Sequence, residues 1–218
     1  MAKNQRNIFI GLGLVVVIAA IFAVLASGGS DNSSSTTTTF PSGNGSVAAA
    51  EFQPVAVTGT ALARLGDGQT DASKGAPGPV LKGYSLTGLP VNVNPATDGP
   101  TMLVFLAHWC PHCNREIPRL IDWKEQGLVP DNLRVVGITT GSRNDQANWP
   151  PSEWIETMKW PFEVMADSET QQAAAAYGVD GYPFMVILDA QGNVAKRTSG
   201  EVEVAELVSI IDAAIGKS

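Results

Sequence analysis

The chain has 218 residues, 44% hydrophobic and 16% charged, which is enough to bury the core of one ordinary domain plus appendages. Its formal net charge is −7 and no stretch concentrates lysine or arginine, which argues against nucleic acid as a partner. Both cysteines and both histidines lie between His108 and Cys113, too few and too close to form a disulfide framework. These cysteines are therefore expected to be functional.

The N-terminus predicts a membrane anchor. After a short basic segment, 1–7, comes an uncharged and mostly apolar run, 8–26. As a helix this run would be about 28 Å long at ~1.5 Å per residue, close to the roughly 30 Å of a bilayer core. The positive-inside rule keeps the basic end cytoplasmic and exports the rest. A cleaved signal peptide is the alternative, because small residues precede Ser27, although its apolar region would be unusually long.

A polar segment, 27–51, separates this run from the rest of the chain. It is rich in Ser, Thr and Gly, and 33–39 contains only Ser and Thr. Such a composition cannot bury enough apolar surface to fold, so it predicts a flexible linker. The folded domain is accordingly expected to span 52–218.

The first part of this domain gives weaker signals. Residues 54–60 could form a strand, and the glycines around Gly66 indicate a turn. Residues 84–93 predict a β-hairpin with Gly88 near its turn. This hairpin would precede the central part of the domain.

The central segment holds both cysteines. Residues 101–107 are apolar and predict a buried strand, and residues 114–126 have helical spacing. Cys110 would then lie where a strand meets a helix, and the free N–H groups and dipole of the helix start favour thiolate over thiol. Cys110 is thus the predicted nucleophile. Cys113, one turn further, is close enough to close a small disulfide ring with it.

The later segments alternate in type. Ser168 and Gln171 belong to a capping-box pattern that is expected to open a helix. This alternation predicts an α/β fold in which helices cover both faces of a mixed central sheet. The predicted elements are a strand at 133–139, a loop at 140–151, a short helix starting near Ser152, a strand at 162–165, an Ala-rich helix ending at Gly178, a hairpin of 185–189 and 194–197, and a helix at 203–215.

The motif Trp-Cys-Pro-His-Cys at 109–113, followed by Pro118, resembles the active site of the thioredoxin superfamily. The sequence Gly-Val-Asp-Gly-Tyr-Pro-Phe at 178–184 resembles the loop in which that family holds a cis-proline against the disulfide. The resemblance covers roughly 77–218 and implies a thioredoxin-like fold, a helix kinked at Pro118 and a cis peptide before Pro183. The predicted hairpin and anchor are similar to the TlpA-like branch, whose members are membrane-tethered and face the outside of the bacterial cytoplasm.

The resemblance implies reversible dithiol/disulfide exchange with no cofactor beyond the Cys110–Cys113 disulfide. His112 is expected to stabilise the Cys110 thiolate. Pro-His between the cysteines resembles DsbA-type oxidases, whereas thioredoxin has Gly-Pro; the two have potentials of about −120 and −270 mV. The prediction therefore leans towards an oxidase that donates disulfides to exported proteins. The alternative is a TlpA-like reductase serving cytochrome c or copper-site maturation.

The residues around the cysteines indicate how a substrate would bind. Trp109, Pro111 and Tyr182 are predicted to form an apolar surface for an extended segment, with the backbone beside Pro183 pairing to it. The expected partners are exported proteins with cysteine thiols and a membrane redox partner that recycles the site. His108 is expected to border the site and not to act in it.

One position departs from the family pattern. Val104 stands where thioredoxin and many relatives have a buried acid that helps move protons to and from the second cysteine. Proton transfer would then use water, another acid such as Glu116, or the substrate.

The cysteine pair also admits two interpretations without redox catalysis, a static disulfide and a metal site. A static Cys110–Cys113 bridge would close too small a loop to stabilise a fold. Adjacent residues at a helix start cannot all converge on a tetrahedral zinc ion, so no metal site is predicted. A non-enzymatic copper-binding protein remains the alternative of another class, since a cysteine pair can bind a soft metal transiently.

Overall fold

The computed structural model describes residues 45–66, 68 and 70–216. The predicted anchor at 8–26 and residues 27–44 of the predicted linker lie outside these residues and stay predictions. Among the helices of the described residues, none has the length and hydropathy needed to cross a bilayer.

The described strands form one mixed sheet of eight strands. They are β1 Ala56–Thr58, β2 Val80–Tyr84, β3 Pro90–Val93, β4 Thr101–Leu106, β5 Arg134–Thr139, β6 Glu163–Ala166, β7 Phe184–Leu188 and β8 Val194–Ser199. Their order in the sheet is β1-β2-β6-β5-β4-β7-β8, with β3 paired to β2. The strand β5 lies between β4 and β6 and is parallel to both, whereas β7 is antiparallel to β4 and to β8.

Helices cover both faces of this sheet, as the alternation of elements predicts. Side chains of β4 alternate between the faces: Val104 packs with Ile117 and Leu207 on one face, whereas Phe105 packs with Tyr177 on the other. Because both faces are covered, β4 is fully buried and is apolar at every position after Thr101. The helices are α1 Pro95–Asp98, α2 Pro111–Glu125, α3 Pro151–Thr157, α4 Gln172–Ala176 and α5 Val204–Ile215.

The predicted hairpin is confirmed as β2–β3. At its turn the Gly88 N–H donates to the Ser85 carbonyl at 2.9 Å, and the φ of Gly88 is +83°. A Cβ there would lie 2.0 Å from the Val47 carbonyl oxygen, so only glycine fits. The hairpin also joins the main sheet, because Tyr84 pairs with Ala166 of β6. The sequence predicted neither this junction nor the short helix α1.

The predicted capping box is wrong. The helix α4 begins at Gln172, and Gln171 has the left-handed φ of 59° with no side-chain capping bond. The Asp167 carboxylate instead accepts the N–H groups of Ala173 and Ala174, at 2.8 and 3.1 Å. An acid that follows β6 thus has the capping role that the local pattern assigned to Ser168. The Ser168 hydroxyl accepts the Gln172 N–H at 3.0 Å and is hydrogen-bonded to the Thr170 hydroxyl at 3.3 Å.

Candidate active site

Cys110 lies at the predicted junction between strand and helix. It is the N-cap of α2, with extended φ and ψ of −76° and 120°, and Pro111 begins the helix. Proline suits this position because its fixed φ is helical and its missing N–H would have had no helical partner. Pro118 lies inside the same helix.

Both cysteines are free thiols, and they differ in exposure. Cys110 is 6% exposed and its thiol donates to the Tyr182 carbonyl at 3.4 Å, whereas Cys113 is fully buried. Burial raises the pKa of Cys113 well above its ordinary value, against the opposing effect of the Ala107 N–H, which donates to its sulfur at 3.5 Å. Cys110 is therefore the cysteine that a substrate can reach first.

The Tyr182–Pro183 peptide is cis, as the resemblance implies. Its Tyr182 carbonyl faces Cys110, and the Pro183 carbonyl accepts the Gly200 N–H at 2.8 Å. A second cis peptide, Trp149–Pro150, follows the loop between β5 and α3, and no sequence signal marked it.

Trp109 and Tyr182 form one wall beside the cysteines. Their rings lie edge to face, with centroids 6.0 Å apart, and both side chains are half-buried. The Trp109 indole donates to the Gly141 carbonyl at 2.8 Å, and the Tyr182 hydroxyl donates to the Gln171 side chain at 3.0 Å. Pro111 is exposed at the start of α2. The structure thus brings together the three residues predicted to contact substrate.

His112 is 58% exposed and takes part in a charged network. Its Nδ1 lies 2.7 Å from a Glu201 oxygen and 2.8 Å from a guanidinium nitrogen of Arg115. One nitrogen cannot donate to the carboxylate and accept from the guanidinium at the same time. The side chain therefore has two alternative hydrogen-bonding states, and its effect on the Cys110 thiolate stays a prediction.

Glu116 is a buried acid on α2, and the sequence analysis named it as one of the possible proton carriers. It is 0% exposed and accepts hydrogen bonds from Arg119 at 3.1 Å and from the Val202 N–H at 3.3 Å. Burial raises the pKa of Glu116, partly offset by these donors. Val104 is buried and apolar, so this part of the site has its acid on the helix and not on the strand.

His108 borders the site, as expected, and holds the loop between β5 and α3. The Arg143 N–H donates to Nε2 at 3.1 Å, so the ring proton must sit on Nδ1, which donates to the Ala147 carbonyl at 2.6 Å. Burial lowers the pKa of His108, which keeps the ring neutral. His108 thereby fixes the loop whose Gly141 carbonyl accepts from Trp109.

Within the described part of the chain, no three His, Cys, Asp or Glu side chains gather where they could hold a metal ion. The copper-binding alternative would therefore rest on the two thiols alone, as a two-coordinate soft-metal site.

Residues 75–197, more than half of the chain, match the family model described as AhpC/TSA family. The chain belongs to the AhpC/TSA family. A curated relative, the thiol:disulfide interchange protein HelX of Rhodobacter capsulatus, is 28% identical over 116 residues, which are 53% of this chain and 61% of HelX. This chain thus spans about three fifths of that relative.

Solved structures show the fold. A DsbF homologue from Corynebacterium diphtheriae is 24% identical, with a TM-score of 0.57 over 71% of this chain and 99% of that one. A thiol:disulfide interchange protein of the thioredoxin family from Chlorobium tepidum is 23% identical, with a TM-score of 0.52 over 66% of this chain and 99% of that one. The fold is thioredoxin-like.

Proposed function

We propose that this chain is a membrane-anchored thiol:disulfide oxidoreductase that acts outside the cytoplasm on cysteines of exported proteins. The observation that carries the proposal is the placement of Cys110 at a helix start facing the cis Tyr182–Pro183 peptide, with Cys113 buried behind it. The name of HelX, a thiol:disulfide interchange protein, supports the same chemistry. The location rests on the apolar run at 8–26, which predicts an anchor.

In the reducing direction, the Cys110 thiolate attacks one sulfur of a substrate disulfide. The substrate S–S bond breaks, and its other sulfur leaves as a thiolate and takes up a proton. The Cys113 thiolate then attacks Cys110 in the mixed disulfide and releases the second substrate thiol. Two electrons and two protons pass from the cysteine pair to the substrate, and oxidation runs the same steps backwards.

The substrate segment would lie in extended form across the wall of Trp109 and Tyr182, with its backbone beside Pro183. The aromatic rings supply apolar contact, and main-chain hydrogen bonds supply affinity without demanding a particular sequence. Pro111, exposed at the start of α2, would contact the residue next to the reacting cysteine.

The buried acid keeps the reducing direction as a candidate, because it supplies on α2 the proton carrier that Val104 does not. In that direction Cys113 must lose its proton inside the protein, where burial disfavours the thiolate. Glu116, also buried and one turn further along α2, is the acid that would take this proton, and its raised pKa brings it closer to that of a thiol. The oxidising direction is the second candidate, because His112 lies between the cysteines and resembles the residue found in DsbA-type oxidases.

The reduction potential of the Cys110–Cys113 pair tests both the function and its direction. The full-length chain would be equilibrated in glutathione buffers and followed by tryptophan fluorescence, with Cys110→Ser and Cys113→Ser as controls that lack the transition. A potential near about −270 mV would support a reductase, and one near about −120 mV an oxidase. If the wild-type chain showed no redox transition but bound copper(I) stoichiometrically, the copper-binding alternative would replace the proposal.

A further inference from the structure

The loop between β8 and α5 contacts three separate parts of the site through three consecutive residues. The Gly200 N–H donates to the carbonyl of Pro183 at 2.8 Å, and the Val202 N–H donates to the Glu116 carboxylate at 3.3 Å. Between them, Glu201 binds His112. The loop carries no sequence motif, so its role is visible only in the folded chain.

The Glu201 carboxylate binds three basic side chains of α2 at once. One oxygen lies 2.7 Å from His112 and 2.6 Å from Arg115, and the other lies 2.5 Å from Arg119. Hydrogen bonds from Arg115, His112 and Arg119 lower the pKa of Glu201 to about 2. Glu201 is therefore negatively charged at every pH at which the cysteines would exchange.

The two arginines link Glu201 to both ends of the redox site. Arg115 lies near the start of α2, the helix whose N-cap is Cys110, and its hydrogen bond to Glu201 raises its pKa. Arg119 bridges Glu201 and the buried Glu116 through one nitrogen, at 2.5 and 3.1 Å. Glu201 thus neutralises cations on the helix that carries both cysteines.

We propose that Glu201 is a positioning residue that offsets the cations beside Cys110 and so keeps the cysteine pair less oxidising than its Pro-His dipeptide alone would make it. The reduced pair can carry a thiolate at Cys110, and nearby positive charge stabilises that thiolate and thus the reduced form. Glu201 cancels part of this positive charge. The inference rests on the proposed thiol–disulfide exchange.

Removing the Glu201 charge acts on the Cys110 thiolate through His112 and through the two arginines. Glu201→Gln keeps an oxygen that can accept the Nδ1–H of His112, so the imidazole can stay in place. The two guanidinium groups are charged at all relevant pH values, whereas an imidazole is charged only when protonated. Loss of the carboxylate charge therefore leaves a more positive site, and the dithiol should become more stable relative to the disulfide.

The test compares four full-length proteins in glutathione buffers: wild type, Glu201→Gln, Glu201→Asp and Glu203→Gln. Glu203→Gln is the matched control, because Glu203 is 76% exposed and contacts Arg119 at 3.2 Å without contacting His112. Glu201→Gln should shift the equilibrium about threefold to tenfold towards the dithiol, the size expected for a partly exposed ion-pair network. Glu201→Asp should recover most of this shift, and Glu203→Gln should change the equilibrium less than about twofold.

The reciprocal variant Arg115→Gln distinguishes an electrostatic effect from an effect of misfolding. Arg115 is 53% exposed, so its replacement disturbs no core, and it should shift the equilibrium in the opposite direction, towards the disulfide. Both shifts should shrink in 1 M salt, where the screening length is about 3 Å.

If Glu201→Gln left the equilibrium unchanged, or if both variants shifted it the same way, the inference would be overturned while the proposed function stood. If wild type showed no transition, the proposed function itself would fail.

Discussion

Among single residues, Glu116 combines full burial with a raised pKa. An acid whose pKa is higher in the folded than in the unfolded chain binds its proton more tightly when folded, so stability is lost as pH rises through the raised pKa. The loss of stability begins near pH 4.5, the ordinary pKa of a glutamate, and continues as the pH rises. The burial that suits Glu116 to accept a proton from Cys113 thus costs stability at neutral pH.

Glu116→Gln should remove this pH dependence. The free energy of unfolding of the variant, relative to that of the reduced wild type, should increase as the pH rises above 4.5, because glutamine has no charge to desolvate. Urea unfolding at several pH values measures the difference. Glu125→Gln, an exposed change at the end of the same helix, should change the free energy of unfolding by less than about 0.5 kcal/mol. A difference for Glu116→Gln that did not vary with pH would show that burial does not govern this acid.

The sequence identified the site residues that belong to local sequence motifs. Cys110, Cys113 and Pro183 lie where the strand-to-helix junction and the loop at 178–184 placed them. Glu201 could not be found in this way, because its hydrogen-bond partners on α2 are more than 80 residues earlier in the chain. Contacts between elements so distant depend on how β8 and α5 pack, and no spacing rule encodes that.

At the scale of elements, the strands and the long helices matched their apolar patterns to within a few residues. The helix α2 has a helical repeat of apolar residues because one of its faces is buried, whereas β4 is a continuous apolar run because both of its faces are buried. The start of α4 could not be predicted, because the helix is short and an acid outside the capping-box pattern caps it. The pairing of β2 with β6 rests on a single residue pair, which no pattern within either strand marks.

Asp167 should therefore stabilise α4 far more than the predicted cap does. Its carboxylate accepts two N–H groups of the helix, the Ser168 N–H and the hydroxyl of Thr140. Asp167→Ala should lower the free energy of unfolding by at least about 2 kcal/mol, because the buried N–H groups lose their acceptor. Ser168→Ala removes two exposed hydrogen bonds and should cost less than about 1 kcal/mol. Equal costs in urea unfolding would contradict this assignment of the cap.

At the scale of the whole domain, the segment between β1 and β2 is held against α4 and β8. The Leu62 N–H donates to the Ala176 carbonyl and the Gly75 N–H to the Val194 carbonyl, both at 2.8 Å. Arg197 of β8 also binds the segment. Its buried guanidinium binds the Asp71 carboxylate through two nitrogens and donates to the carbonyl of Ala63 at 2.7 Å. This buried group ties residues more than 100 positions apart.

Arg197→Met should detach that segment. The change removes the guanidinium that binds the Asp71 carboxylate and the Ala63 carbonyl, and breaking a buried ion pair from one side costs about 3–5 kcal/mol. Urea unfolding should show this loss, and proteolysis between 59 and 75 should become faster than in wild type. The matched control is Arg143→Met, since Arg143 pairs with Asp145 at 3.6 Å where both side chains are exposed, and it should cost less than about 1 kcal/mol. If the two variants were equally stable, the segment would owe its place to its backbone hydrogen bonds and apolar contacts, and the Arg197–Asp71 pair would contribute nothing to it.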